Sequence, residues 1–258
     1  MPIDIHPEPL QMPPLDSATV ILVRDGAHGL EVFLLKRHGL SDVLGGAYVF
    51  PGGKLDKADA QAVATLDRTL DDMHEALGEP DLPDGQAAAL FVAALRELQE
   101  EAGVTLRASD IVPWSRWITP VVGGVVRKRF DARFFIAPEP AGQHARHDDH
   151  ETVESGWHRP LDALRQYWDG TIELAPPQIM TLQHLSRFAT AQAAIDDARS
   201  RRPPTILPLS WHEPEGRAMC YPGDDRHPVR ERAMPGPLRL FWRNRRFEPE
   251  GGFEALFG

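Results

Sequence analysis

Arg96-Glu97-Leu98-Gln99-Glu100-Glu101-Ala102-Gly103-Val104 is the stretch on which the reading of this chain turns. At about 100° per residue, with Glu97 set at zero, Glu100 falls near 300° and Glu101 near 40°. Three carboxylates therefore share about a 100° arc of one helix. Phe91, Ala94, Leu95, Leu98 and Ala102 occupy the adjoining arc, so the acidic stripe runs along the margin of the buried face. Like charges one turn apart repel. A hard divalent cation with oxygen ligands would offset that repulsion. The plainer alternative is a solvated acidic face in which Arg96 pairs with Glu100 at i+4.

Working outward, the helix is predicted from about Gln86 to Ala102, with Gly103 closing it. Upstream, Ala62, Leu66, Leu70, Met73 and Leu77 keep helical spacing over Asp59–Leu77 and stop at Gly78. Before that stands Phe50-Pro51-Gly52-Gly53-Lys54-Leu55-Asp56, whose paired glycines let backbone approach a ligand or metal and expose carbonyls. Ala18–Arg24 and Leu30–Arg37, joined by Asp25-Gly26-Ala27-His28-Gly29, read as a hairpin. Downstream, strands are predicted at 112–119, 128–137 and 152–158, and helices at 160–168 and 178–199. The last fifty residues add short strands at 217–221 and 238–243. Strands and helices intermingle without regular βαβ units, so the class is α+β or a mixed-sheet α/β/α sandwich.

Taken together, Phe50–Gly53 and Arg96–Val104 resemble the Nudix hydrolase family, whose signature is Gly-x5-Glu-x7-Arg-Glu-U-x-Glu-Glu-x-Gly-U with U aliphatic. Arg96 to Val104 matches the second half at every specified position. The first half departs. Six residues after Gly53 stands Asp59 where the family has Glu, and 36 residues separate Asp59 from Arg96 where the family has seven. Such an interrupted box resembles a subgroup related to the peroxisomal-type coenzyme A diphosphatases. Tyr48–Gly53, Arg116–Pro120, Arg129-Phe130-Asp131 with Phe134-Phe135, and Pro176-Pro177 ahead of a helix are similar too. The resemblance covers about residues 17–225 and implies a Nudix-type α/β/α sandwich with a helical insertion at about 59–95. Residues 1–16 read as a proline-rich arm and 226–258 as an extension packing on the domain.

The resemblance implies hydrolysis of a diphosphate linked to another moiety, X, by water attack on phosphorus with Mg²⁺ or Mn²⁺. It carries metal ligation to Glu97, Glu101 and Glu100 and to the Gly52 carbonyl, with Glu97 and Glu101 central to catalysis. Arg96 would pair with an acidic residue of the box, and the Asp59 departure leaves that partner open. The general base falls on Glu151, with Glu154 competing. Phosphate-facing candidates are Lys36, Arg37, Lys54, Arg127, Lys128 and Arg129, of which Arg37, Lys54 and Arg129 stand first, and Trp117 is the aromatic candidate for stacking a base. Coenzyme A or an acyl derivative is suggested as X, although Leu40–Gly46 lacks the arginine that one coenzyme A signature places just upstream. Nucleotide sugars and other nucleoside diphosphate derivatives compete. A silent Nudix domain serving as a ligand sensor or interaction module is the alternative, which the intact box carboxylates disfavour.

Composition closes off other classes. The chain has 258 residues and a net charge of −10, which lacks the basic footprint of a nucleic-acid binder. Its longest strongly apolar run, Ala18–Val23, is far short of the roughly 20 residues needed to span a bilayer. The proline-bearing start has no hydrophobic core for a secretory signal. One cysteine, Cys220, excludes an internal disulfide and fits a cytoplasmic protein. His144, His147 and His150 beside Asp148 and Asp149 read as a polar loop rather than a transition-metal site. No membrane or nucleic-acid partner is expected, and a homodimer is a family habit.

Overall fold

The computed structural model describes residues 12–38, 46–121, 128–147, 152–213 and 216–258. The hairpin forms from β1 (Leu15–Gly26) and β2 (Gly29–Arg37), with Gly29 at φ 110° closing the turn. β1 also pairs in parallel with β6 (Phe130–Pro138), which pairs antiparallel with β5 (Val112–Ile118). Two short strands, β3 (Tyr48–Val49) and β4 (Gly52–Lys54), pair with β2 and β1 respectively. β7 (Thr152–His158) lies along the other edge of β2, and β8 (Thr205–Ile206) adds to β5.

β1 and β2 are paired only near their turn, at Val23–Gly26 and Gly29–Val32, and part beyond it. The 48–54 segment occupies that opening. β3 is antiparallel to β2 and β4 antiparallel to β1, while β1 and β2 oppose each other, so the chain must change direction between Val49 and Gly52. Pro51, with its fixed φ, stands at that corner. The Val20 amide donates to its carbonyl at 2.8 Å.

Alternation along β1 assigns the two faces. Ala18, Val20 and Leu22 pack with α2 (Leu70–Leu77) and α3 (Asp84–Ala102). Ile21 and Val23 pack against α4 (Pro160–Trp168), α5 (Pro176–Leu185) and α6 (Ala191–Ser200). This is an α/β/α sandwich on a mixed sheet. The box helix α3 ends at Gly103, whose φ of 66° is the left-handed cap glycine supplies at low cost.

Four expectations need revision. The helix read over Asp59–Leu77 is two pieces, α1 (Asp59–Ala62), continued by a 3₁₀ turn, and α2. Leu66 is extended and Thr69 caps α2 by accepting from the Asp72 amide, while Asp67 is taken by the Ser109 amide and hydroxyl. Side chains that bond backbone locally interrupt the helix there. The helix read over 178–199 is likewise α5 and α6, with Thr190 capping the second. Leu15 and Asp16, read as arm, belong to β1. Finally, residues on both sides of 225 share one antiparallel sheet: β9 (Leu209–Glu213), β10 (Gly216–Cys220), β11 (Arg239–Arg243) and β12 (Arg246–Glu248). Among the described residues no helix is long and apolar enough to cross a membrane.

On α5, His184 lies 4.7 Å from the Trp114 ring and 5.6 Å from that of Phe188. Burial, aided by nearby Arg201, pushes its pKa down to about 4, against the opposing pull of Asp197. The unfolded chain, with His near 6.5, therefore binds more protons in the interval between, and stability falls as pH drops from 6.5 toward 4. Between pH 7 and pH 5 this one group is expected to cost about 2 kcal/mol. His184→Phe should flatten that part of the wild-type dependence in denaturant unfolding. An unchanged difference between the two pH values would contradict the assignment.

Candidate active site

The site is built where α3 meets β4. The bonds Val20 N–H to Pro51 O and Leu55 N–H to Asp16 O set the phase of the β1–β4 ladder. Gly52 and Lys54 then fall at positions whose N–H and C=O point away from β1. The contacts bear this out on the α3 side. The Gly52 amide donates to Glu101 Oε2 at 2.8 Å, and the Lys54 carbonyl accepts from Arg96 Nη2 at 3.0 Å. The Gly52 carbonyl shares the direction of its own amide, toward Glu101.

Glycine is required at both paired positions. A Cβ on Gly53 would sit 2.2 Å from Glu97 Oε1, and one on Gly52 would meet the Ala18 carbonyl at 2.5 Å. The Glu97 carboxylate thus lies directly against the Gly53 backbone.

Arg96 organises the acids. Its Nε and Nη2 donate to Asp59 Oδ1 and Oδ2 at 2.8 and 3.0 Å, a two-pronged pair that answers the open question of its partner. Asp59 reaches it across the 36 intervening residues from the start of α1. The Asp59 carboxylate is 1% exposed and also accepts from the Asp56 amide at 2.7 Å. Arg96 Nη1 bridges Glu97 and Glu100 at 2.8 and 3.0 Å. These acids, Asp59 foremost, raise the guanidinium pKa above its ordinary value. Glu101 is 5% exposed, whereas the Glu100 side chain is 59% exposed.

At this corner Glu101, Glu97 and the Gly52 carbonyl offer oxygen donors to a divalent cation. Among the described residues, no three acidic, His or Cys side chains are gathered into a ready cage. That arrangement still fits a Mg²⁺-like ion, which takes one or two carboxylates and completes its shell with water and substrate phosphate rather than an all-protein cage. Glu100, turned to Arg96, is the weakest of the expected ligands in this arrangement.

Trp117 is 5% exposed and packs edge-on to Tyr221 in the α5-side core, so its ring is committed to packing. Arg129 donates to the Thr119 and Met12 carbonyls, holding the chain ahead of β1. The Lys54 side chain and Lys128 are exposed. Arg37 ends β2, where its backbone bonds Gly46 and Ala47 and the β7 register shifts. Lys36 pairs with Glu154 at 3.3 Å. Glu151, Arg127, His150, Asp148, Asp149 and most of the Gly39–Gly46 loop lie outside the described residues.

Sequence reasoning missed an ionic cluster on the same face. Arg133, 3% exposed, donates to both Glu79 oxygens at 3.0 and 2.8 Å and pairs with Asp16 and Asp131. Arg116 joins Asp131 and Glu79. Glu79 comes from the insertion, so the segment interrupting the box is fastened to the central sheet.

A model of the NUDT19 Nudix domain matches residues 107–185, which carry β5–β7, α4 and α5. The box, absent from that match, lies just ahead of it. The chain is similar to the Nudix family over that span. The acyl-coenzyme A diphosphatase NUDT19 of Xenopus laevis is 24% identical over 271 residues, covering 77% of this chain and 71% of that protein. Human NUDT19 is 26% identical over 277 residues, covering 77% and 72%. A putative Nudix hydrolase 7 of Caenorhabditis elegans is 25% identical over 225 residues, covering 81% and 73%. A Nudix hydrolase crystal structure from Alicyclobacillus acidocaldarius superposes with a TM-score of 0.57 at 23% identity, covering 75% of this chain and 98% of that one. The Nudix sandwich is thus common to both, with Asp59 and Arg96 closing the interrupted box here.

Proposed function

We propose that this Nudix protein is a divalent-metal-dependent hydrolase of diphosphates, acting on coenzyme A or its acyl derivatives by water attack on phosphorus. The observation that carries the reading is the α3–β4 corner, where Glu97 and Glu101 flank the Gly52–Gly53 backbone and Arg96 is locked to Asp59. The coenzyme A assignment draws its support from the names of the similar proteins and from the interrupted box of this chain.

Glu97, Glu101 and the Gly52 carbonyl would hold the ion, Mg²⁺ or Mn²⁺, with Glu100 adding charge from the exposed side. When bound, such an ion supplies Lewis-acid neutralisation of phosphoryl charge, worth several kcal/mol. The chain's own groups do the rest. The Asp59–Arg96 pair keeps Glu97 against Gly53, and the Gly52 amide fixes one oxygen of Glu101, so the carboxylates enter the reaction already oriented. Glu151 stays our choice for the group that takes the water's proton. The lone, buried Cys220, whose thiol burial pushes up to about 11, suits a reducing compartment such as the cytoplasm.

A panel of coenzyme A, acyl-coenzyme A, ADP-ribose, dinucleoside polyphosphates and nucleotide sugars, each with Mg²⁺ or Mn²⁺, tests the substrate. Preferred turnover of coenzyme A species, releasing 3′,5′-ADP and the phosphopantetheine half, is the expected result. Preference for another class would reassign X. Binding of panel members without turnover would favour the sensor reading.

A further inference from the structure

Tyr48, Lys36 and Glu154 form one row across three strands. The register sets Lys36 opposite Tyr48 of β3 on one side and opposite Glu154 of β7 on the other. Residues directly opposite in antiparallel pairs share a face, and here all three side chains meet. Lys36 Nζ lies 3.3 Å from Glu154 Oε2 and 5.6 Å over the Tyr48 ring. The Tyr48 hydroxyl and the same carboxylate are near enough to shift each other's pKa, Tyr48 upward and Glu154 downward. Tyr48 is 5% exposed, its amide donates to the Glu173 carbonyl at 2.9 Å, and its ring meets His158 edge-on at 5.8 Å.

The face decides the role. Leu34 and Tyr48 belong to the core shared with α4 and α5, whereas Leu35 and Val49 belong to the core shared with α3. Lys36, two residues on from Leu34, and Glu154 opposite it therefore look away from the box helix, with the sheet in between. We infer that Glu154 is a positioning residue, and not the proton acceptor, of the hydrolysis proposed above. It ties β7 to Tyr48 over the top of Lys36. Tyr48 in turn opens the segment that turns at Pro51 and presents Gly52 to Glu101. The inference rests on the hydrolase reading and removes both Lys36 and Glu154 from the groups that touch substrate.

The charge state agrees. The Tyr48 hydroxyl, then Lys36, hold the Glu154 carboxyl below the usual carboxylate range, and His158, its own pKa lowered by burial, is the further titratable neighbour. A base needs the opposite, a pKa drawn toward the working pH.

The test is a cycle of Tyr48→Phe, Glu154→Ala, the double variant and Glu154→Gln, read as kcat, KM and the pH profile in Mg²⁺. Both single variants should lower kcat by about 3- to 10-fold with KM within about twofold, since the strand pairing of Tyr48 survives, and the double variant should be no worse than the worse single. Glu154→Gln, which keeps an acceptor oxygen beside Tyr48 and Lys36, should lose less, and the acid limb of kcat/KM should stay in place in all four. A loss of a hundredfold or more in Glu154→Gln with disappearance of the acid limb would make Glu154 the base and overturn the proposal. An active wild-type enzyme with variants indistinguishable from it, or with fully additive losses, would overturn it too. A wild-type chain that hydrolyses nothing on the panel would instead sink the hydrolase reading, and the positioning role with it.

Discussion

Glu101→Gln is expected to cut kcat/KM by at least about a hundredfold while leaving the fold intact, because the ion that Glu101 is proposed to hold would contribute several kcal/mol to the proposed reaction. Glutamine matches the shape of Glu101, and its amide oxygen can still accept from the Gly52 N–H that now donates at 2.8 Å. What disappears is the negative charge, at a position only 5% exposed, beside the Gly52 carbonyl. Turnover on the best panel substrate and thermal unfolding of the same preparation separate the two effects. An unshifted melting point with collapsed turnover is the expected pair. Turnover within a fewfold of wild type would remove Glu101 from the metal assignment.

Arg133→Met should be the most damaging substitution for stability, costing about 3–5 kcal/mol. Arg133 is 3% exposed and faces Glu79, Asp131 and Asp16. Removing it leaves Arg116 alone to balance Glu79 and Asp131, two carboxylates that are each 10% exposed. Breaking a buried ionic cluster by taking one partner strands the others in low dielectric, which is why the cost exceeds that of a surface pair. Glu79 belongs to the insertion, so the same change should loosen α2 and with it the start of α3. Pairing the change with Glu79→Leu should recover part of the loss, because one stranded charge is then gone. Denaturant unfolding measures both, and a loss under about 1 kcal/mol for the single variant would show the cluster to be superficial.

The local features of the site were legible in the residues themselves. Helical spacing, the Gly103 cap and the phase of Glu97, Glu100 and Glu101 need only the chain within one element, and the box helix ends as expected. The hairpin of β1 and β2 was equally local. Legibility stopped where a long-range pairing decides. No spacing rule connects Asp59 to Arg96 across 36 residues, and only the folded insertion brings the two-pronged pair together. Trp117 and Arg129 had the right chemistry for a substrate surface, yet a core partner, Tyr221, and two backbone carbonyls take them up. The row of Tyr48, Lys36 and Glu154 exists only through the registers of two strand pairs, which follow from the splaying of β1 and β2 rather than from any motif. The interruptions at Leu66–Thr69 and before Thr190 show the reverse case, where capping side chains override an apolar period that reads as continuous helix.

The most direct test of the central claim is hydrolysis of coenzyme A followed by product release, with the wild-type chain stripped of divalent ions by a chelator and then resupplied with Mg²⁺ or Mn²⁺. The account predicts no turnover in the stripped protein and full recovery on resupply, with Glu101→Gln failing to recover at the same ion concentration. Sustained turnover in the stripped protein, or equal recovery of Glu101→Gln, would contradict it.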